Sequence, residues 1–227
     1  MTGRYPHELG EAASLWSNFE TFPVFTDMLA ASGYEVGHTG KGWSPGRTGE
    51  NGWDHDPAGK EYKSFADFME QRDPEKPFFF WYGNTSVALG RWRYGPEHLG
   101  DMNPDTVRIP PNLPDTVEVR ETILAYYGAV QKQDRIFGEA VQRIEDAGML
   151  DDTLVIYTGD NGWQMPRGLA NCYDGGVRIP LAMRWGNRIE ADRKGDGFVS
   201  LTDFAPTFLE LTGLNVPQDM TGQSFAG

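Results

Sequence analysis

The stretch Thr153–Trp163, T-L-V-I-Y-T-G-D-N-G-W, sets a carboxylate and an amide side by side at Asp160 and Asn161, directly after a short apolar run. Both side chains offer hard oxygen donors, the kind a calcium-type cation takes. D-N-G is also good turn chemistry, so on these residues alone a ligand pair and a surface turn both stand open. A second group with chemical potential is Lys41, in Gly40-Lys41-Gly42-Trp43, which also follows a strand-like run. An ammonium beside a divalent cation would help to hold a tetrahedral oxyanion. The reaction class that follows is metal-assisted hydrolysis of a sulfate or phosphate ester. Against it stands the ordinary fate of a loop lysine, which is to be solvated.

These residues need elements to position them. Thr153–Thr158 has the length and β-branched content of a strand, as do Tyr34–Thr39 and the continuous apolar run Pro77–Gly83, which reads as buried. Arg178–Trp185 alternates enough to be a further strand. The spacing predicts helices over Thr21–Ser32, closed by Gly33, and over Ser64–Arg72, with Ser64 as its cap. A long helix starts at Asp115 or Thr116 and ends at Gly148, with Ile123, Tyr127, Val130, Phe137, Val141 and Ile144 as its apolar stripe. Asp134 falls on that stripe and is expected to accept a hydrogen bond from a neighbouring loop. The last helix is Leu201–Thr212, ended by Gly213 and containing Pro206. From Asn84 to Pro114 no element is predicted.

The alternation of helices and strands predicts an α/β layered domain with a largely parallel central sheet flanked by helices. If the strands are parallel, the loops Gly40–Gly46, Gly83–Tyr94 and Gly159–Arg178 gather at one sheet edge, where sites in such folds collect. At 227 residues the chain fits a single domain over 1–227 with a substantial core. A net charge of −13 argues against a nucleic-acid surface, which needs a basic face. Cys172 is the only cysteine, which rules out an internal disulfide. No apolar run approaches a membrane span, and the residues at the amino terminus have no signal-peptide core.

Taken together, the motifs resemble the formylglycine-dependent sulfatases of the alkaline phosphatase superfamily, most closely bacterial members similar to heparan N-sulfatase. Thr2-Gly3-Arg4 resembles the tail of the first sulfatase signature, C-x-P-S-R-x-x-x-L/M-T-G-R, with Met1 in its L/M position. Gly33-Tyr34 through Gly40-Lys41 resembles the second, G-Y-x-x-x-x-x-G-K. Leu154–Gly162 is similar to the strand that ends in D-N-G, and Tyr173–Pro180 to the Y-[DE]-G-G-x-R-x-P stretch. Phe198–Gly213 is similar to the family's V-S-x-x-D-x-x-P-T-x-L-x-x-x-G helix. In that family a signature cysteine is oxidised to formylglycine, whose hydrate attacks sulfur while calcium polarises the sulfate oxygens. The resemblance implies that Asp160 and Asn161 are calcium ligands and that Lys41 contacts the sulfate and the nucleophile. It implies a sulfated small molecule or glycan as partner and a periplasmic or secreted setting.

The same resemblance sets out what differs. It places the nucleophile, the first strand and a pair of aspartate ligands ahead of Met1, so a chain truncated at its amino terminus, inactive by itself and weak in calcium affinity, is the expectation. The family's D-P-H-R loop reads N-T-S-V-A-L-G-R from Asn84, and Leu169 stands where a second lysine is usual. His7, His38, His55 and His98 do not fall on the missing position and are expected to pack or lie at the surface. Arg91, Arg93 and Arg167 are candidates to restore the lost positive charge. The alternatives are a non-catalytic sulfatase-like binding or structural protein, and a phosphoesterase of the same superfamily.

Overall fold

A computed structural model describes residues 1–13, 22–43, 48, 54–88 and 102–227. The chain forms two compact units, Met1–Gly83 together with Gly195–Gly227, and Asn84–Lys194.

The first unit is built on a parallel three-stranded sheet. Strand β1 (Glu35–Gly40) lies between β2 (Lys60–Glu61) and β3 (Phe78–Gly83), with Glu35 opposite Phe78 and Gly40 opposite Gly83. Helix α1 (Phe25–Ala31) precedes β1, α2 (Phe65–Gln71) precedes β3, and α5 (Phe204–Leu211) is the last helix of the chain. The apolar run of β3 is explained by helices on both faces of the sheet. Phe78 and Phe80 meet Phe65 and Phe68 of α2, whereas Phe79, pointing the other way, packs edge-on to Phe25 of α1 and against Phe208 of α5. Phe25, Leu29, Ala205, Leu209 and Met220 form the buried centre of that second layer. The strand is less buried than its sequence predicts, because Trp81 and Tyr82 are 45% and 42% exposed.

Helix boundaries follow local capping chemistry. Ser64 accepts the Asp67 N–H at 3.1 Å, so α2 begins where the sequence places it. The expected helix over Leu201–Thr212 opens instead as a 3₁₀ turn, Leu201–Asp203, closed by a reciprocal Ser200–Asp203 capping box before α5. Pro206 sits in the first turn of α5, where its missing N–H leaves no intrahelical bond unmade. Helix α1 is shorter than Thr21–Ser32, and Thr21 lies outside the described residues.

The second unit is organised by the long helix α3 (Val117–Asp146), whose Thr116 cap accepts the Val119 N–H. Its first half buries Ile123, Leu124, Ala125 and Ala129 against Val107, Ile109, Leu113, Trp163 and Met165. Tyr127, placed on the stripe by its spacing, is 38% exposed, because packing centres on Leu124 and Ala125 instead. Asp134 is exposed and accepts no hydrogen bond among the described residues, contrary to the expectation from its place on the stripe. It borders a shallow groove with Phe137, Tyr157 and Ala182. The segment ahead of α3 has more order than its sequence predicts. A 3₁₀ turn, Pro104–Thr106, is capped by Asn103, and Arg120 of α3 donates to the Pro104 carbonyl while pairing with Asp115 through two bonds of 2.6 and 2.8 Å.

Strand β4 (Val155–Thr158) pairs with β5 (Leu181–Arg184), and this pairing is antiparallel, with Thr158 opposite Leu181. The molecule is thus an α/β protein with a parallel three-stranded sheet and a separate antiparallel pair among its described residues. No helix among those residues is long and apolar enough to cross a membrane.

Candidate functional site

Lys41 is the first residue beyond β1, in the first unit. Because β1 and β3 are parallel and in register, the loops that follow them leave the same edge, as expected for the first two of the three loops. The Lys41 backbone is held there from two directions. Its N–H donates to the Gly83 carbonyl at 2.6 Å, and its carbonyl accepts from the Trp81 indole N–H at 2.9 Å. A Cβ on Gly83 would run into the Lys41 carbonyl oxygen, so only glycine lets the two strand ends come so close. Residues 44–47 of the loop lie outside the described residues, as do Arg91, Arg93 and His98.

Asp160 and Asn161 lie in the second unit, beyond the carboxyl end of β4. Asp160 is exposed and Asn161 half-buried. Asn161 Nδ2 donates to the Gly162 carbonyl at 2.7 Å, which fixes the amide and leaves Oδ1 as its free acceptor among the described residues. The Gly162 N–H donates to the Gly176 carbonyl at 2.9 Å, so the D-N-G corner is tied to the short helix α4 (Asp174–Val177). A Cβ on Gly162 would collide with the Gly175 carbonyl, and one on Gly176 with the carbonyls of Gly168 and Asn171. These two glycines let the loop close onto itself. Their spacing was visible in the sequence, but the partner carbonyls, distant along the chain, were not.

The donor set suits a hard cation in kind, since a carboxylate and an amide oxygen are both calcium donors. It is short in number, because such ions take about six to eight oxygens. Among the described residues no group of three or more His, Cys, Asp or Glu side chains could hold a metal.

The remaining candidates have structural surroundings. His38 is 3% exposed, with Nδ1 at 3.1 Å from the Gly59 carbonyl and Nε2 at 3.9 Å from Asp56. His55 lies between Asp27 at 2.9 Å and Asp54 at 2.5 Å. Hydrogen bonds that its ring donates to those two carboxylates, Asp27 first, raise its pKa above the ordinary histidine value. His7 stacks on Tyr5. Leu169 is exposed, and its N–H donates to the Trp163 carbonyl. Arg167 lies over the Tyr173 ring, 5.3 Å from its centroid.

The chain is similar to known proteins. The family model described as Sulfatase matches residues 1–214. The human N-sulphoglucosamine sulphohydrolase is 31% identical over 177 residues, 66% of this chain and 34% of that protein. An ulvan-active sulfatase of Formosa agariphila is 32% identical over 149 residues, 60% of this chain and 25% of that protein. In both, the match covers well under half of the relative's length. A solved complex with the substrate D-glucosamine-2-N,6-O-disulfate shares the fold with a TM-score of 0.74 and 20% identity, over 99% of this chain and 67% of that one.

Proposed function

The chain belongs to the sulfatase family, and on that premise we propose that it forms part of one catalytic domain of a sulfatase acting on sulfated glycans. Lys41 contacts the sulfate in this reading, and Asp160 and Asn161 contribute two of the calcium ligands. Calcium, when bound, would withdraw charge from the sulfate oxygens. The Lys41 ammonium would add a hydrogen-bonding positive charge where the oxyanion develops, and the fixed backbone around it limits the reorganisation needed. The observation that carries the reading is the D-N-G corner. Asn161 is tied back through Nδ2, and the exposed Asp160 precedes it just beyond the end of a strand.

The family's formylglycine is not supplied by Cys172, the chain's only cysteine, which is exposed in the loop beyond D-N-G. Turnover is therefore proposed only for a polypeptide that also carries the first signature, and for these 227 residues the proposal is metal and ligand binding. Leu169, exposed where the family has a lysine, favours a competing reading as a sulfatase-like binding module without catalysis. A phosphoesterase of the same superfamily has no comparable support.

Calcium titration followed by calorimetry tests the proposal. The parent chain should bind weakly, and Asp160→Asn and Asn161→Ala should each lower the affinity at least tenfold. Equal heats in parent and variants would refute the ligand assignment. Aryl sulfate turnover by a longer chain with its formylglycine installed separates the enzyme from the binding module.

A further inference from the structure

Arg167 occupies a backbone conformation that its residue type disfavours. The Gly168 N–H donates to the Met165 carbonyl at 2.9 Å, closing a turn with Pro166 second and Arg167 third, and Arg167 has φ 62°. Type II turns place proline second and glycine third, since the third residue needs positive φ. Here the arginine holds that position, and the glycine follows it.

The surroundings enforce the arrangement. The Leu169 N–H donates to the Trp163 carbonyl at 2.9 Å, and Asn112 Nδ2 donates to the Pro166 carbonyl at 3.1 Å. The turn is thereby fixed on both sides. Strained residues that persist because their neighbours over-determine them cluster where a ligand is gripped. The Arg167 guanidinium is laid on the exposed Tyr173 ring, and among the described residues no carboxylate pairs with it. Both side chains line an open cavity of about 570 Å³, together with Pro110, Asn112, Trp163 and Asp174.

The cavity combines one cation, one carboxylate and two aromatic side chains. A planar guanidinium stacked on a ring presents paired N–H donors to an oxyanion. An ionised carboxylate only accepts, which suits sugar hydroxyls. We propose that Arg167 is a specificity-determining residue that holds the sulfate group of a sulfated sugar in this cavity, with Trp163 and Tyr173 as faces for the sugar ring and Asp174 accepting from its hydroxyls. The proposal rests on the reading of the chain as a domain that handles sulfated glycans, and it adds a recognition residue distinct from Lys41, Asp160 and Asn161.

Calorimetry with N-sulfoglucosamine and with unsulfated glucosamine, on the full 227-residue chain, tests it. Arg167→Gln and Arg167→Gly should each lose at least tenfold in affinity for the sulfated sugar and leave the unsulfated one unchanged. Arg167→Lys should lose less, since it keeps the charge without the planar fork. Arg167→Gly should also melt at a higher temperature than the parent, because glycine accepts the positive φ. Loss of binding in a variant that is more stable cannot come from misfolding. Parent-like affinity in Arg167→Gln and Arg167→Gly would overturn the role of Arg167. If Lys41→Ala then weakened binding, the sulfated-glycan reading would stand without it. A parent chain with no preference for the sulfated sugar would overturn both.

Discussion

Lys41 and Gly83 are joined across the carboxyl ends of β1 and β3 by a 2.6 Å hydrogen bond from the lysine N–H to the glycine carbonyl. This contact places an ammonium-bearing residue at a fixed point of the sheet edge, and it depends on a missing side chain. A Cβ at Gly83 would meet the Lys41 carbonyl oxygen, which belongs to backbone and cannot swing away.

Gly83→Ala should therefore force the two strand ends apart. Overpacking of this kind costs about 1–3 kcal/mol. Urea unfolding should show the loss as a lower midpoint with an unchanged slope. An unaltered midpoint would mean that the edge yields without cost, and that Lys41 is less firmly placed than its contacts indicate.

The His55 clamp predicts a pH dependence. Its folded-state pKa is raised, chiefly by the hydrogen bond with Asp27 and then by that with Asp54. A raised pKa means that the folded state holds the proton more tightly than the unfolded one. The stabilisation is complete below the unfolded value of about 6.5 and is lost as pH rises through the higher folded value. His55 is half exposed, so solvent screens the effect and the expected change is small. Unfolding midpoints of the parent should fall across that window relative to those of His55→Gln, and parallel curves would disprove the clamp.

Helix α2 supplies a local test. Ser64→Ala removes the acceptor for the Asp67 N–H and should cost about 1 kcal/mol, whereas Ser64→Gly should cost only a few tenths. Thermal melts of the two variants side by side would show the difference, and equal melts would argue that solvent serves that N–H as well as the serine does.

What the sequence disclosed was mostly local. Ser64 and Thr116 are caps that act within three residues, so their helices are legible from spacing. Lys41, Asp160 and Asn161 stood out because each follows a strand-like run. Non-local features were not legible. The direction of β5 depends on its pairing with β4, and the apolar pattern of a short strand carries no sign of parallel or antiparallel. The same holds for Trp81 and Tyr82, whose exposure is decided by what the sheet edge meets. The collisions that reserve positions 83, 162 and 176 for glycine involve carbonyls brought in by tertiary structure. The turn at Arg167 broke a local rule, since neither neighbour marks an arginine for positive φ.

The antiparallel register of β4 and β5 sets Thr158 directly opposite Leu181, and the Thr158 hydroxyl donates to the Pro180 carbonyl. Everything from Gly159 to Pro180 is therefore an excursion whose two ends are stapled together at its base. Closure entropy rises by only about 0.6 kcal/mol for each doubling of loop length, so the staple tolerates changes in what it encloses. The D-N-G corner sits at the root of this excursion and Arg167 near its tip. Changes of length near the tip should therefore leave the root, with Asp160 and Asn161, where it is.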